Sequence, residues 1–112
     1  MSDWYALIDR EVVGPFDIHD DVSYRAHVNR RHEMIREQGV DPWRVAVTEL
    51  PNGGRVSTVF LGLDHNYSGV GPPIVFETMI FPEGEVFYRC STFEAAEAMH
   101  AAALKAVAEK SF

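Results

Sequence analysis

Four side chains in this sequence are of types that could act together on a substrate or a metal ion: Asp64, His65, Glu77 and His100. An imidazole moves protons near neutral pH, and a neighbouring carboxylate fixes its tautomer and shifts its pKa, as a general base or metal ligand requires. Asp64 and His65 stand in "LDHNYSG", where an apolar run gives way to a glycine-rich loop. Glu77 lies inside the apolar run "IVFETMIF", and His100 inside "AAEAMHAAALK". A carboxylate in an apolar strand is expensive to bury unless it is paired. Its partner would be Arg89 on the next strand, His100, or an arginine across a subunit boundary. The catalytic candidates are therefore His100 and Glu77, and the ligand-binding candidates are Asp64, His65, Asn66, Tyr67 and Arg89.

Each candidate has a purely structural reading beside the chemical one. At about 100° per residue the last helix sets Phe93, Ala96, His100, Ala103, Leu104 and Val107 on one stripe, so His100 should face the sheet. There it is either a core ring satisfied by a carbonyl or hydroxyl, or a base that meets Glu77 or Asp64. Glu77 with Arg89 would be an ordinary cross-strand pair. Asp64 and Asn66 at a strand end suit turns closed on their own backbone. Asp64, His65, Glu77 and His100 are of types that could hold a metal, but no recognised ligand spacing such as HExxH or CxxC occurs, so no metal or cofactor is assigned. The glycines match no phosphate-binding loop, and no G-x-S-x-G elbow is present. His27 and His32 lie about 140° apart on a helix and share no face. Cys90 reads as a buried strand cysteine.

The elements that must position these residues follow from pattern. Residues 4–13 read as a first strand ended by Gly14-Pro15. Residues 20–38 read as a helix, with Asp20 and Asp21 in its first turn, Gly39 at its stop, and a thin inward stripe of Tyr24, Val28, Arg31 and Ile35. Strands follow over 43–50, 55–64, 74–81 and 86–90. The first two are joined by a tight turn at Asn52-Gly53 and the last two by "PEGE". Ser91 to Glu94 matches an S-x-x-E capping box before an alanine-rich helix, with Lys105 and Lys110 suiting its C-terminal end. The order β-α-β-β-β-β-α makes this an α+β domain, 1–112, with an antiparallel sheet of about five strands and two helices packed on it. Both faces of 74–81 are mostly apolar, so either one helix covers each face, or both helices cover one face and a partner, such as a second copy, covers the other.

Composition narrows the class. With 46% apolar residues the chain can bury a core without staples. Seventeen acidic against ten basic residues, a formal charge of −7, disfavour a general grip on nucleic acid. Arg25, Arg30, Arg31 and Arg36 nevertheless crowd one stretch, read as a solvated helix face. No run reaches the roughly 18 to 20 apolar residues that span a bilayer. The N-terminal residues lack the basic region of a signal peptide, and a lone cysteine suits a reducing cytoplasm.

The blocks "VSTVFLGLDHNY", "PPIVFETMIF" and "YRCSTFEAAEAMH" resemble, in the same order and at short separations, a small conserved protein of unknown function encoded by tailed phages and prophages, mainly of actinobacteria. The resemblance spans roughly residues 44–103. It implies expression in an infected bacterial cytoplasm and places Asp64, His65, Glu77, Thr92 and His100 in the recognisable blocks. It says nothing of the arginine-rich helix and carries no particular activity. The expected function is a phage accessory protein: a small binding module that engages a host protein or small ligand, and a homodimer if the sheet is the contact. The alternative is a small hydrolase-like, metal-assisted enzyme using Asp64, His65, Glu77 and His100.

Overall fold

The computed structural model describes residues 3–17 and 22–109. Six antiparallel strands form two sheets, and with two helices they make the α+β fold the sequence pattern predicts. The first sheet is a hairpin of β1 (Trp4–Ile8) and β2 (Glu11–Phe16). The second has the order β3 (Arg44–Glu49), β4 (Arg55–Phe60), β5 (Phe76–Phe81), β6 (Glu85–Cys90). Helix α1 (Val22–Gln38) separates the sheets in sequence, and α2 (Phe93–Glu109) ends the fold.

The expected single first strand is two strands. Asp9 and Arg10 take φ of 48° and 69°, so the chain reverses there and pairs Ile8 with Glu11. Neither is glycine, and the usual Asn-Gly or Asp-Gly signal of such a turn is absent. Gly14 and Pro15 do not end a strand but lie within β2, at a sheet edge where a missing N–H costs no ladder bond. The hairpin is tied to the larger sheet by Tyr5 N–H donating to Gly62 O at 2.6 Å and Asp64 N–H donating to Asp3 O at 2.9 Å.

Nor do both helices cover one sheet. Helix α2 packs across β3, β4, β5 and β6, while α1 packs on β1. Helix α1 buries no residue fully, as its thin apolar stripe implies, and Gly39 ends it at φ +70° with its N–H on Ile35 O. Asp20, Asp21 and Lys110 fall outside the described residues. Helix α2 is capped by Thr92, whose Oγ1 accepts from Ala95 N–H at 3.1 Å. The expected Ser91–Glu94 box is therefore displaced by one residue, and Glu94 sits in the first turn.

Alternation sorts the larger sheet. Val56, Thr58 and Phe60 of β4 and Phe76 and Thr78 of β5 are buried beneath α2, which contributes Ala96, Met99, His100 and Ala103. Trp43, Phe60, Phe76 and Phe93 form an edge-to-face series with centroid separations of 4.9, 5.3 and 6.3 Å. Each such contact adds about 0.5–1.5 kcal/mol to simple burial. On the opposite face, register aligns Val47, Ser57, Met79 and Val86 in one row. Val47 and Val86, its two ends, are 43% exposed.

Candidate functional site

The residues singled out in the sequence fall into three local groups: His100 with strand threonines, Glu77 with Arg89, and the loop residues Asp64, His65, Asn66 and Tyr67 with one another and their own backbone. His100 is 6% exposed and lies on α2 above the sheet centre. Its Nε2 is 2.9 Å from Thr48 Oγ1 and its Nδ1 is 2.8 Å from Thr58 Oγ1, which in turn is 2.5 Å from Thr78 Oγ1. A neutral imidazole has one donor and one acceptor, and each hydroxyl has one proton. The row Thr48, His100, Thr58, Thr78 is thus satisfied in either direction, with every bond running the same way. Burial lowers the His100 pKa below its ordinary value because no carboxylate offsets the desolvation of the cation.

Glu77 follows Phe76 and precedes Thr78, so alternation turns it to the face away from His100. Arg89 Nε donates to Glu77 Oε2 at 2.9 Å across the β5–β6 pair. Asp64 Oδ1 accepts from Asn66 N–H at 2.7 Å and Ile74 N–H at 2.9 Å, fastening the loop where it leaves and rejoins the sheet. Asn66 Nδ2 donates to Val70 O and Pro72 O, and its Oδ1 accepts from Ser68. His65 Nδ1 and Tyr67 OH are 3.2 Å apart at the surface. Among the described residues no group of three His, Cys, Asp or Glu is placed to hold a metal. Cys90 is half-buried, and burial pushes its thiol pKa up.

What the tertiary structure does assemble lies elsewhere. A cleft of about 560 Å³ opens between the β1–β2 hairpin, α1, the start of β3 and the start of α2. Arg10, His27, Arg30, Arg31, Arg44 and Phe93 line it, with Leu7, Ile8 and Met34 supplying apolar wall. His27, Arg30, Arg31 and Met34 are spaced i, i+3, i+4 and i+7, a single helical face. The expected stripe of Tyr24, Val28, Arg31 and Ile35 is only part of what α1 presents. Tyr24 packs at a tilt of about 50° against Trp4 and Phe16, and His27 packs its ring against Phe16 at 5.6 Å.

The arginines differ in what they already hold. Arg31 makes a two-pronged pair with Asp41 at 2.8 and 2.6 Å and lies 4.5 Å over the Trp43 ring. That pair joins α1 to the segment leading into β3 and holds the Asp41 carboxyl below its ordinary pKa, chiefly through the Arg31 hydrogen bond. Arg30 meets Glu33 at 3.3 Å in solvent, a pair of little energetic weight. Arg10 lies 5.3 Å over the Phe93 ring. Arg10 and Arg44 are exposed and make no ion pair with the described residues. The sequence signal for this site was the arginine cluster at 25–36. Arg10, Arg44 and Phe93 could not be added to it, because they come from segments remote in sequence.

Comparison with protein-family models, with curated proteins and with solved structures finds no match to the chain.

Proposed function

We propose that this protein is a small binding module that holds a small anionic ligand in the arginine-lined cleft. The block resemblance to tailed-phage proteins gives the setting, an accessory protein at work in an infected bacterial cytoplasm. One observation carries the reading: four of the chain's ten Lys and Arg residues line one cleft, although the chain as a whole carries −7. An acidic protein has few cations to spend, and a solvated helix face would not need arginines from a hairpin turn and a strand start as well. The volume of about 560 Å³ lies within the roughly 300–1,000 Å³ typical of small-ligand sites. Asp64, His65, Glu77 and His100 do not line the cleft; they contact loop backbone, Tyr67, Arg89 and threonine hydroxyls respectively.

The test is a native mass spectrum of the untagged protein from its host, repeated after denaturation and on an Arg30→Glu/Arg44→Glu variant. The expected result is extra mass on the wild type that denaturation releases and the variant lacks. A bare wild-type chain that captures a host protein equally well with and without the charge reversals would overturn the reading. A homodimer through the sheet is the second surface to test, since the row from Val47 to Val86 remains partly open opposite α2. Sedimentation of the wild type and Met79→Lys decides it: a dimer that the lysine splits supports the contact, and a monomer rejects it.

A further inference from the structure

We infer that the ligand of the cleft is a small phosphate monoester, its phosphate gripped by the guanidinium groups of Arg10 and Arg44 and its organic part set against Phe93 and Met34. The inference rests on the binding-module reading above and adds the chemistry of the ligand. Guanidinium presents a planar fork of N–H donors matched to phosphate and carboxylate oxygens, and it stays charged at any working pH. The cleft uses arginine alone for its fixed cations; no lysine lines it. Arg31 is already committed to Asp41 and Trp43, so it shapes the floor and does not reach for a ligand. Among the described residues Arg10 and Arg44 form no salt bridge, although Arg44 is near enough to Asp41 to help lower its pKa. They approach from different elements, one from the β1–β2 turn and one from the first residue of β3. Two independent forks at one opening suit an anion with three outward oxygens better than a planar carboxylate, which a single fork already fills.

The positioning of Arg10 is built into the turn. With φ of 69° at Arg10 and 48° at Asp9, the hairpin bend places both residues in the lining of the cleft, Asp9 as a carboxylate beside the Arg10 cation. The Arg10 guanidinium over the Phe93 ring is held by a cation–π contact that leaves its edge N–H groups free to donate. The apolar wall explains why the ligand carries an organic part. Leu7, Ile8, Met34 and Phe93 would be poor company for a bare ion, but they suit a ring or short chain esterified to the phosphate.

The probes are inorganic phosphate, adenosine 5′-monophosphate and adenosine, titrated at low ionic strength. Binding is followed by ³¹P NMR linewidth and, for all three, by calorimetry. The expected order is the monophosphate tightest, inorganic phosphate weaker and adenosine weakest. Arg10→Ala and Arg44→Ala should each weaken the monophosphate about tenfold or more, as loss of a charge-assisted fork implies. Both residues are exposed, so unchanged thermal melts will show that the variants fold. Adenosine binding as tightly as its monophosphate overturns the inference. So does phosphate broadening that survives in the Arg10→Ala/Arg44→Ala double variant, and so does no broadening by either phosphate. If the native spectrum shows a phosphorus-free mass lost on Arg30→Glu/Arg44→Glu, the phosphate assignment falls while the binding-module reading stands.

Discussion

Replacing His100 by alanine should cost this protein stability, and the size of the loss follows from what the ring touches. The imidazole is 6% exposed and bonded at both nitrogens, at 2.9 Å to Thr48 and 2.8 Å to Thr58. Two net hydrogen bonds are worth about 1–3 kcal/mol together. The space left by the ring adds about 1–2 kcal/mol, since α2 and the sheet are anchored by Ala96, Met99 and Ala103 and cannot close fully. Part of this is recovered, because Thr58 keeps Thr78 as a partner and half-buried Thr48 can turn to water. The expected loss is about 2–4 kcal/mol. In a domain of this size that lowers Tm by roughly 10–25 °C. Urea and thermal unfolding followed by circular dichroism measure it directly. Thr58→Val nearly keeps the volume but breaks two bonds, to His100 and to Thr78, so it should cost about 1–3 kcal/mol. A His100→Ala protein within about 0.5 kcal/mol of wild type would refute the reasoning. The ring would then contribute no net packing or bonding, and it would return to the pool of functional groups.

The acid limb of the stability curve carries a second expectation. A histidine whose pKa is lowered on folding binds protons more readily when unfolded, so stability falls as pH drops below about 6.5 and stops falling below the depressed folded value. His100→Gln should flatten that step in a series of urea melts between pH 7.5 and 5. Asp41 adds a later step: its carboxyl is lowered by Arg31, so its contribution is present above the ordinary Asp pKa of about 3.8 and is lost as pH falls below it. Asp41→Asn should remove that later step and loosen α1, read as faster amide exchange in residues 22–38. The Glu77–Arg89 pair is asymmetric, with side chains 11% and 40% exposed. Arg89→Ala leaves a mostly buried carboxylate unpaired and should cost about 1–3 kcal/mol, more than Glu77→Gln, which leaves Arg89 to solvent. Denaturant melts that rank the two the other way would contradict this placement. At Gly54 an added Cβ would stand 2.5 Å from the Phe81 carbonyl on β5, so Gly54→Ala should destabilise by more than about 1 kcal/mol even though Gly54 needs no positive φ.

Much of this protein was legible in its sequence because the signals were local. The alternation of "RVSTVFLG" and "IVFETMIF", the Asn52-Gly53 turn and the alanine-rich last helix each rest on contacts within a few residues. They correctly implied the α+β class, four consecutive antiparallel strands and a His100 turned toward the sheet. The Asp9–Arg10 reversal is not marked in the sequence because, although Asp tolerates positive φ, Arg10 stands where a hairpin turn ordinarily has glycine. Only the tertiary fold holds them there, through the β1–β2 ladder and the bonds from β1 to Gly62 and Asp64.

The partners of the polar residues were decided by register, which no single segment contains. Thr48, Thr58 and Thr78 look like ordinary strand threonines, and only the β3–β4–β5 pairing aligns them beneath His100. The same pairing turns Glu77 to the other face, where it meets Arg89. The arginine cleft is the extreme case, built from a hairpin turn, a helix face, a strand start and a helix start. The sequence alone determined which residues are cations and that they are scarce. Bringing Arg10 and Arg44 to one opening required the chain to fold, because long-range packing and not local spacing sets the distance between them.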